Sequence, residues 1–218
     1  MQIFPRSLNK LPTLVAAAAA VGAVALTAVI WYYFSPWYTH VGYSPRQPVP
    51  YSHRLHAGQL GLDCRYCHTN VERAPMAMVP PTETCMNCHQ LVKTDSKLLE
   101  PIRNSWASHE PMQWVRIHKL PDYVYFDHSV HVTAGVGCAE CHGRIDQMEQ
   151  VRMVKPLSMG WCLDCHRDPG PHLRPRDVAV TDMTWVPGKD PAALAQQLVG
   201  EYHIHDKQYM TSCSTCHR

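Results

Sequence analysis

The stretch Cys64-Arg65-Tyr66-Cys67-His68 decides the fold, because its pattern, C-x-x-C-H, recurs along the 218-residue chain. The other four copies are Cys85–His89, Cys138–His142, Cys162–His166 and Cys213–His217. This pattern is the attachment signature of c-type haem. Its two thiols bond to the two vinyl groups on one porphyrin edge, and the adjacent histidine supplies a nitrogen to the iron. We number the five motifs, in chain order, sites 1 to 5.

All ten cysteines fall in these motifs. A disulfide framework gives no reason for a histidine after each second cysteine. Zinc sites normally combine two C-x-x-C pairs, and five pairs cannot be divided into such sites without one left over. We therefore predict five haem c groups. The covalent attachment residues are Cys64, Cys67, Cys85, Cys88, Cys138, Cys141, Cys162, Cys165, Cys213 and Cys216, and the proximal iron ligands are His68, His89, His142, His166 and His217.

The N-terminal region is apolar. Residues 11–45 contain no Asp, Glu, Lys or Arg, and the 21 residues 14–34 are almost all apolar. A helix of that length spans roughly 30 Å, the thickness of a bilayer's hydrocarbon core. A cleaved signal peptide is the alternative, although its apolar region is usually shorter. We predict a retained anchor over 13–35. Because Arg6 and Lys10 precede it, residues 1–12 are placed in the cytoplasm.

The segment after the anchor is rich in proline. Four prolines in 36–50 predict a linker that follows a stiff, extended path along the membrane surface. Residues 51–218 then form a predicted periplasmic haem domain, in the compartment that permits haem attachment. Aromatic residues at the far end of the anchor suit a membrane interface; they are Trp31, Tyr32, Tyr33, Trp37 and Tyr38.

The haem domain contains an internal repeat. An aromatic residue and two histidines three apart precede site 1 as Tyr51-Ser-His53-Arg-Leu-His56 and site 3 as Phe126-Asp-His128-Ser-Val-His131. A Met-Val-x-Pro stretch and a second motif follow each. Chance similarity in a His-rich chain is the alternative, but four features in the same order favour duplication. We predict di-haem units at 51–89 and 126–166, with a fifth haem at 213–217.

The paired histidines are predicted distal ligands. Residues three apart share one helix face, yet they can reach two irons when haems pack closely on either side. In the small multihaem cytochromes that these segments resemble, the first histidine ligates the haem just downstream and the second a neighbouring haem. The resemblance implies His53 for site 1 and His128 for site 3. His56 and His131 would serve neighbours, most simply sites 2 and 4.

Five haems need a fifth distal ligand. The candidates are His118 and a thioether from Met159 or, less favoured, Met153. We expect a mixed outcome in which His118 and one methionine are both ligands and one paired histidine gives way. A thioether ligand raises the haem potential, which suits an electron exit, although methionine is also a common core filler. His172, His203 and His205 remain unassigned, the last two fitting propionate partners or surface positions.

Chain length limits the fold class. Only 183 residues follow the anchor to surround five haems, and the chain has three phenylalanines. We therefore predict a multihaem cytochrome c in which short α-helices and loops, with little β-structure, wrap around stacked haems. Local patterns predict a helix from Lys97 to His109 capped by Asp95 or Ser96, a helix from Ala192 to Tyr202 capped by Asp190, and a short extended segment from Tyr123.

The predicted function is electron transfer. Closely packed irons with filled coordination shells pass single electrons and leave no site for substrate, so the chain is not an enzyme by itself. A stand-alone quinol dehydrogenase with one anchor and four haems is one rival, which the fifth motif and the paired histidines disfavour. A catalytic haem enzyme such as a nitrite reductase is the other; it needs an open iron position and is usually much longer.

The whole pattern resembles the membrane-anchored pentahaem cytochrome subunit of bacterial alternative complex III. The resemblance rests on the single anchor, the five motifs and the sequences YSHRLHAGQLGLDCRYCH, PPTETCMNCH, RIHKLPDYVYFDHSVHV and PLSMGWCLDCHRDP. Some pieces also occur in the multihaem subunit of menaquinone reductase complexes, so both complexes stay open.

The resemblance to alternative complex III implies a respiratory or photosynthetic quinol oxidoreductase in the bacterial cytoplasmic membrane. It implies an iron–sulfur partner related to molybdopterin oxidoreductases, polytopic quinol-binding membrane subunits and a monohaem cytochrome c. Electrons would run from quinol through iron–sulfur clusters and these haems to a soluble cytochrome c, a copper protein or an oxidase.

Overall fold

The computed structural model describes residues 4–217. Short helices joined by loops make up this part of the chain, and no strand occurs in it. Isolated antiparallel bridges pair Val124 with His217 and Val136 with Leu173. The prediction of short helices with little β-structure is confirmed.

The described residues form eleven α-helices: α1 (Leu11–Tyr33), α2 (Pro36–Thr39), α3 (Cys64–Cys67), α4 (Thr82–His89), α5 (Glu100–Ser108), α6 (His128–Thr133), α7 (Cys138–His142), α8 (Met159–Arg167), α9 (Pro191–Glu201), α10 (Lys207–Met210) and α11 (Cys213–Cys216). One π-helix covers Arg54–Gln59. 3₁₀ helices cover Arg6–Lys10, Lys97–Leu99, Ile145–Gln147 and Gly170–His172.

Helix α1 is the candidate membrane span. Its side chains are exposed along its length, and together with the preceding 3₁₀ turn it is long and apolar enough to cross a bilayer. Pro12 lies in the first turn, where its missing N–H removes no helical hydrogen bond. An N-terminal signal sequence can also be this long and apolar, so the helix fits both roles.

The segment after α1 is fastened to the haem domain rather than free. Gly42 N–H donates to the Met153 carbonyl at 2.8 Å, and Met153 N–H donates back to Tyr43 at 3.0 Å. Val49 is only 4% exposed and packs with Met86 and Ile102. The segment therefore differs from the predicted extended linker, because α2 begins it and its apolar end is buried.

The two predicted helices outside the motifs are present. Asp190 caps α9 by accepting from Ala193 N–H at 3.0 Å, as predicted. The helix predicted from Lys97 instead divides into a 3₁₀ turn and α5, without a side-chain cap from Ser96. The cause is Pro101, which is tolerated only in the first turn of an α-helix and so delays its start to Glu100.

The apolar core made by side chains is small. The buried apolar side chains of the described residues include Val49, Met86, Ile102, Met148, Met153, Leu173 and Leu198. The segment from Tyr123 pairs with the end of the chain, since Tyr125 N–H donates to the Cys216 carbonyl at 2.9 Å. The elements are therefore arranged around the C-x-x-C-H motifs rather than around one continuous apolar centre.

Candidate haem sites

Helices position the motif residues. Sites 1, 3 and 5 begin the short helices α3, α7 and α11, whereas sites 2 and 4 occupy the second half of α4 and α8. One helical turn places residues three apart on the same face, which brings the two thiols of a motif together. None of the ten cysteines, all of which lie within the described residues, forms a disulfide.

Aromatic rings hold both distal histidine pairs in the same way. Tyr51 stacks on His56 with ring centres 4.4 Å apart, and it meets the edge of His53 at 4.8 Å. Phe126 stacks on His131 at 4.5 Å and meets His128 at 4.7 Å. The two pairs therefore have matching aromatic contacts, which supports the interpretation of two equivalent units.

Backbone carbonyls fix the tautomer of most motif and paired histidines. A carbonyl only accepts, so the bonded Nδ1 carries the proton and Nε2 keeps the lone pair that binds iron. His68 donates to Met78 at 2.7 Å, and Met78 has a left-handed backbone (φ +66°) that turns its carbonyl toward the ring. The other Nδ1 donors are His56, His89, His128, His131, His166 and His217.

Three pairs of histidine rings face each other at a common distance. Ring centres lie 6.2 Å apart for His56 and His89, 6.2 Å for His131 and His166, and 6.4 Å for His128 and His142. Two imidazoles on opposite sides of one metal have centres roughly 6 Å apart, because each metal–nitrogen bond is about 2 Å long. The spacing fits bis-histidine ligation at sites 2, 4 and 3.

Site 1 brings His53 and His68 together. Burial, with His68 as the next cause, lowers the pKa of His53 to about 4, and its Nδ1 is buried without a hydrogen-bond partner. Burial also lowers the pKa of His142 at site 3 to about 3, with the next contribution from His118. Both rings are therefore neutral at pH 7, which is the form that ligates a metal.

His118 lies beside site 3. Its ring centre is 4.4 Å from that of His142 in an edge-on arrangement, which is too close for the two rings to share an iron. Burial lowers its pKa to about 4, and its Nε2 is buried without a partner. The structure thus brings His118 to site 3 and not to His217.

The remaining ligand candidates lie in different environments. Met153 is 4% exposed, whereas Met159 is 62% exposed at the start of α8, one turn before Cys162. At site 5 the His217 ring lies 5.8 Å from the ring of Tyr123.

The donor set fits haem better than a bare metal ion. No group of three or more His, Cys, Asp or Glu within residues 4–217 is arranged to hold an ion. Instead, thiol pairs on one helical turn accompany imidazoles whose Nδ1 donates to a backbone carbonyl. Haem needs this combination, since its porphyrin supplies four nitrogen ligands and the protein adds two axial ones.

One polar contact was not predicted. His172 pairs through Nδ1 with Glu140 of the site 3 motif at 3.0 Å. The hydrogen bond to Glu140 raises the pKa of His172, and the same bond lowers the pKa of Glu140. The Nδ1 of His172 is therefore engaged by the Glu140 carboxylate. The sequence holds no signal for this pair, because 32 residues separate its members.

Comparisons with known proteins agree with this geometry. The family described as cytochrome c7 and related cytochrome c matches residues 49–105, which contain sites 1 and 2 and the first histidine pair. The chain carries a multihaem cytochrome c domain. Over 97 residues it is 30% identical to the menaquinone reductase, multiheme cytochrome c subunit of Nitratidesulfovibrio vulgaris. That alignment covers 44% of this chain and 45% of the relative, so the chain spans less than half of the protein it matches.

The comparisons confirm the predicted fold class, and the haem c cofactor follows from the cytochrome c family match. They support a likeness to the multiheme cytochrome c subunit of a menaquinone reductase.

Proposed function

We propose that this protein is an electron-transfer subunit with five covalent haems, in a membrane-bound quinol:acceptor oxidoreductase of the alternative complex III type. The observation that carries the proposal is the set of three facing histidine pairs at 6.2–6.4 Å. Each pair would hold an iron between its two imidazoles, which would leave no coordination site for substrate. The chain then transfers electrons and is not an enzyme by itself.

The cysteines of each motif would hold the porphyrin, and the motif histidines would be proximal ligands. Haem supplies reversible one-electron iron chemistry when bound. We assign His53, His56, His128 and His131 as distal ligands of sites 1, 2, 3 and 4. The chain's own residues set where each histidine ring carries its proton. Carbonyls accept hydrogen bonds from Nδ1–H, and burial keeps His53 and His142 neutral. The fifth distal ligand would be Met159 or Met153, since His118 lies beside His142 of site 3.

The membrane arrangement follows the sequence. Helix α1 would be a retained anchor over 13–35, with the N-terminus cytoplasmic and residues 51–218 periplasmic. The partners would be an iron–sulfur subunit related to molybdopterin oxidoreductases, polytopic quinol-binding subunits and a monohaem cytochrome c. Electrons would pass from quinol through iron–sulfur clusters and this chain to a cytochrome c, a copper protein or an oxidase.

The named relative favours a second candidate, the haem subunit of a menaquinone reductase complex. Such a complex would use the same haems in the opposite direction, toward quinone. The facing histidine pairs are compatible with both directions, since they set the spin state and ligation of each iron rather than the direction of flow.

Mild detergent extraction followed by mass spectrometry tests the proposal. We expect a chain mass increased by five haems and co-purification with an iron–sulfur subunit and polytopic subunits. Low-spin haems that do not bind carbon monoxide are expected. A free homodimer would instead support the stand-alone dehydrogenase, and a haem that binds carbon monoxide in the native complex would support a catalytic role.

The direction of electron flow needs a separate measurement. In the purified complex, haem reduction by a quinol followed by oxidation by a cytochrome c supports alternative complex III. Net quinone reduction by a reduced periplasmic cytochrome, without turnover in the other direction, supports the menaquinone reductase.

A further inference from the structure

Contacts between the motif segments indicate which sites are neighbours. We infer that the five haems form an unbranched chain in the order 2–1–3–4–5, which differs from their order in the sequence. The inference rests on the proposed five-haem function. It also assigns sites 2 and 5 as the two ends at which electrons enter and leave.

Sites 2 and 1 are joined by the first unit. His53 and His56 flank one turn of helix but approach different motif histidines. His53 lies close enough to His68 of site 1 for their charges to interact, and the His56 ring faces that of His89 at site 2. Asn87 of the site 2 motif donates to the Tyr66 hydroxyl of the site 1 motif at 3.1 Å. Site 2 is therefore adjacent to site 1.

Sites 1 and 3 are joined across the two units. His128, which faces His142 at site 3, donates through Nδ1 to the Pro75 carbonyl at 2.7 Å, just after site 1. The side chains of Cys64 and Cys138 lie within interaction distance of each other. These contacts place the second unit's first site against site 1, whereas the sequence order would require site 2 in that position.

A second connection between sites 1 and 3 runs through residues 180 and 181. Thr181 Oγ1 donates to Asp63, the cap of α3, at 2.9 Å. Cys138 N–H donates to the Val180 carbonyl at 3.0 Å. One short segment therefore contacts the first residues of both motif helices.

Sites 3, 4 and 5 continue the chain. His128 and His131 on α6 face His142 at site 3 and His166 at site 4. His166 in turn donates to the Met210 carbonyl on α10 at 2.9 Å, which is three residues before site 5. Site 4 therefore lies between sites 3 and 5.

Cysteine exposure agrees independently with this order. Of the ten cysteines, Cys88 and Cys213 are exposed, and the other eight are partly buried. Cys88 belongs to site 2 and Cys213 to site 5, the two ends of the inferred chain. An electron-transfer partner can approach an iron most closely where the haem edge is nearest to solvent.

A pair of electron traps on one helical turn tests the order. Gln208→Cys adds one free thiol on exposed α10, near site 5, because the native cysteines would be bonded to haem. A ruthenium photosensitiser on this thiol injects electrons by laser flash into the fully oxidised protein. His53→Met or His56→Met then makes site 1 or site 2 the sink, because a thioether raises the haem potential.

The readout is the loss of the ferric thioether charge-transfer band. We expect the His53→Met trap to fill faster than the His56→Met trap, because site 2 lies one transfer beyond site 1. A rate ratio of one or below would overturn the order. Mass spectrometry first counts the haems, and fewer than five in the unmodified protein would contradict the proposed function instead.

Iron positions give a second measurement if the methionine does not bind the iron. In an experimental map of the haem-loaded protein in its complex, the iron of site 1 should be nearer to those of sites 2 and 3 than these are to each other. An iron of site 2 that is nearer to site 3 than to site 1 would overturn the inference.

Discussion

The two histidine pairs lie in helices of different kinds. His128 and His131 belong to the α-helix α6, whereas the π-helix Arg54–Gln59 follows His53 and contains His56. The first unit has seven residues between its second histidine and its first cysteine, and the second unit has six. A π-turn takes up one additional residue in a helix and often occurs at functional sites.

The extra residue leaves the distance between the facing rings unchanged, although the angle between their planes is 64° for His56 and His89 and 38° for His131 and His166. Leu60 N–H donates to the Leu55 carbonyl, five residues back, at 2.9 Å. The facing distances at sites 2 and 4 are nevertheless both 6.2 Å. The comparison teaches that each histidine pair is fixed from its N-terminal side, by the aromatic residue before it and by the backbone carbonyl of the residue that follows this aromatic residue. Variation in length downstream of the pair is therefore tolerated.

Loss of a second histidine should have the largest effect. We expect His56→Ala and His131→Ala each to convert one low-spin haem to high spin, at sites 2 and 4 rather than at the nearest motif, and to destabilise the fold by about 2–3 kcal/mol. Electron paramagnetic resonance and carbon monoxide binding measure the spin change. His203→Ala, at an exposed position, is the control.

A change of spin state at site 1 in His56→Ala, or at site 3 in His131→Ala, would show that the second histidine of each pair ligates the nearest haem, against the assignment made here. A different result in the two variants would show that the units are not equivalent despite their similar geometry.

Acid should unfold the haem domain through its buried histidines. Burial lowers the pKa of His142 to about 3 and those of His53 and His118 to about 4, from about 6.5 in the unfolded chain. Between these values the unfolded state binds more protons, so the free energy of unfolding rises with pH. Their contribution is complete above about pH 6.5 and is lost as the pH falls toward 4.

Urea unfolding of the haem-loaded protein between pH 4 and 7, followed by its low-spin absorption, measures this dependence. Iron binding acts in the same direction, because a histidine must be neutral to be a ligand. A free energy of unfolding that stays constant from pH 6.5 to 4 would contradict the burial of these rings.

Gly58 should be less tolerant of a side chain than its counterpart in the second unit. A Cβ at Gly58 would lie inside van der Waals contact with the Asp146 backbone carbonyl, which belongs to the 3₁₀ turn Ile145–Gln147. Gly58→Ala is expected to cost about 1–3 kcal/mol, because backbone must move. Thr133, at the equivalent position on α6, is exposed, and Thr133→Ala should stay within about 0.5 kcal/mol.

Thermal unfolding of both variants measures the difference. Equal losses of unfolding free energy in the two variants would mean that the units are packed alike at this position. That result would contradict the close approach of Gly58 to the Asp146 carbonyl.

The sequence offered candidates for the sites wherever local spacing carries the signal. His53, His56, His128 and His131 stand out because two histidines three apart precede a motif, and their role as iron ligands stays a prediction. The packing of Val49 could not be predicted, because its partners Met86 and Ile102 are remote in the chain.

Two other features also depend on distant segments. The carbonyl of Met78 holds His68 only because that residue adopts a left-handed backbone, which no residue-type preference indicates for methionine. His118 lies beside His142 because the segment between the two units folds back onto site 3. The sequence alone does not show this fold, so it could not say which site His118 approaches.

The smallest expected effect concerns the third residue of the first motif in each unit. Tyr66 accepts from Asn87 at site 2, whereas its counterpart Glu140 pairs with His172. Both members of the Glu140–His172 pair are more than a third exposed, and exposed pairs contribute about 0.2–1 kcal/mol. Glu140→Gln should therefore cost less than about 1 kcal/mol and lower the pKa of His172 toward its usual value.

Tyr66→Phe is the matched variant, because it removes one exposed hydrogen bond without a charge. Its cost should also be below about 1 kcal/mol and independent of pH. The cost of Glu140→Gln should instead decrease above the pKa of His172, which Glu140 raises, because the neutral ring no longer forms an ion pair. Urea unfolding at pH 6 and pH 9 separates the two. A pH-independent cost for Glu140→Gln would mean that Glu140 contributes a hydrogen bond to His172 but no ion pair. The contacts of Tyr66 and Glu140 would then contribute to stability in the same way.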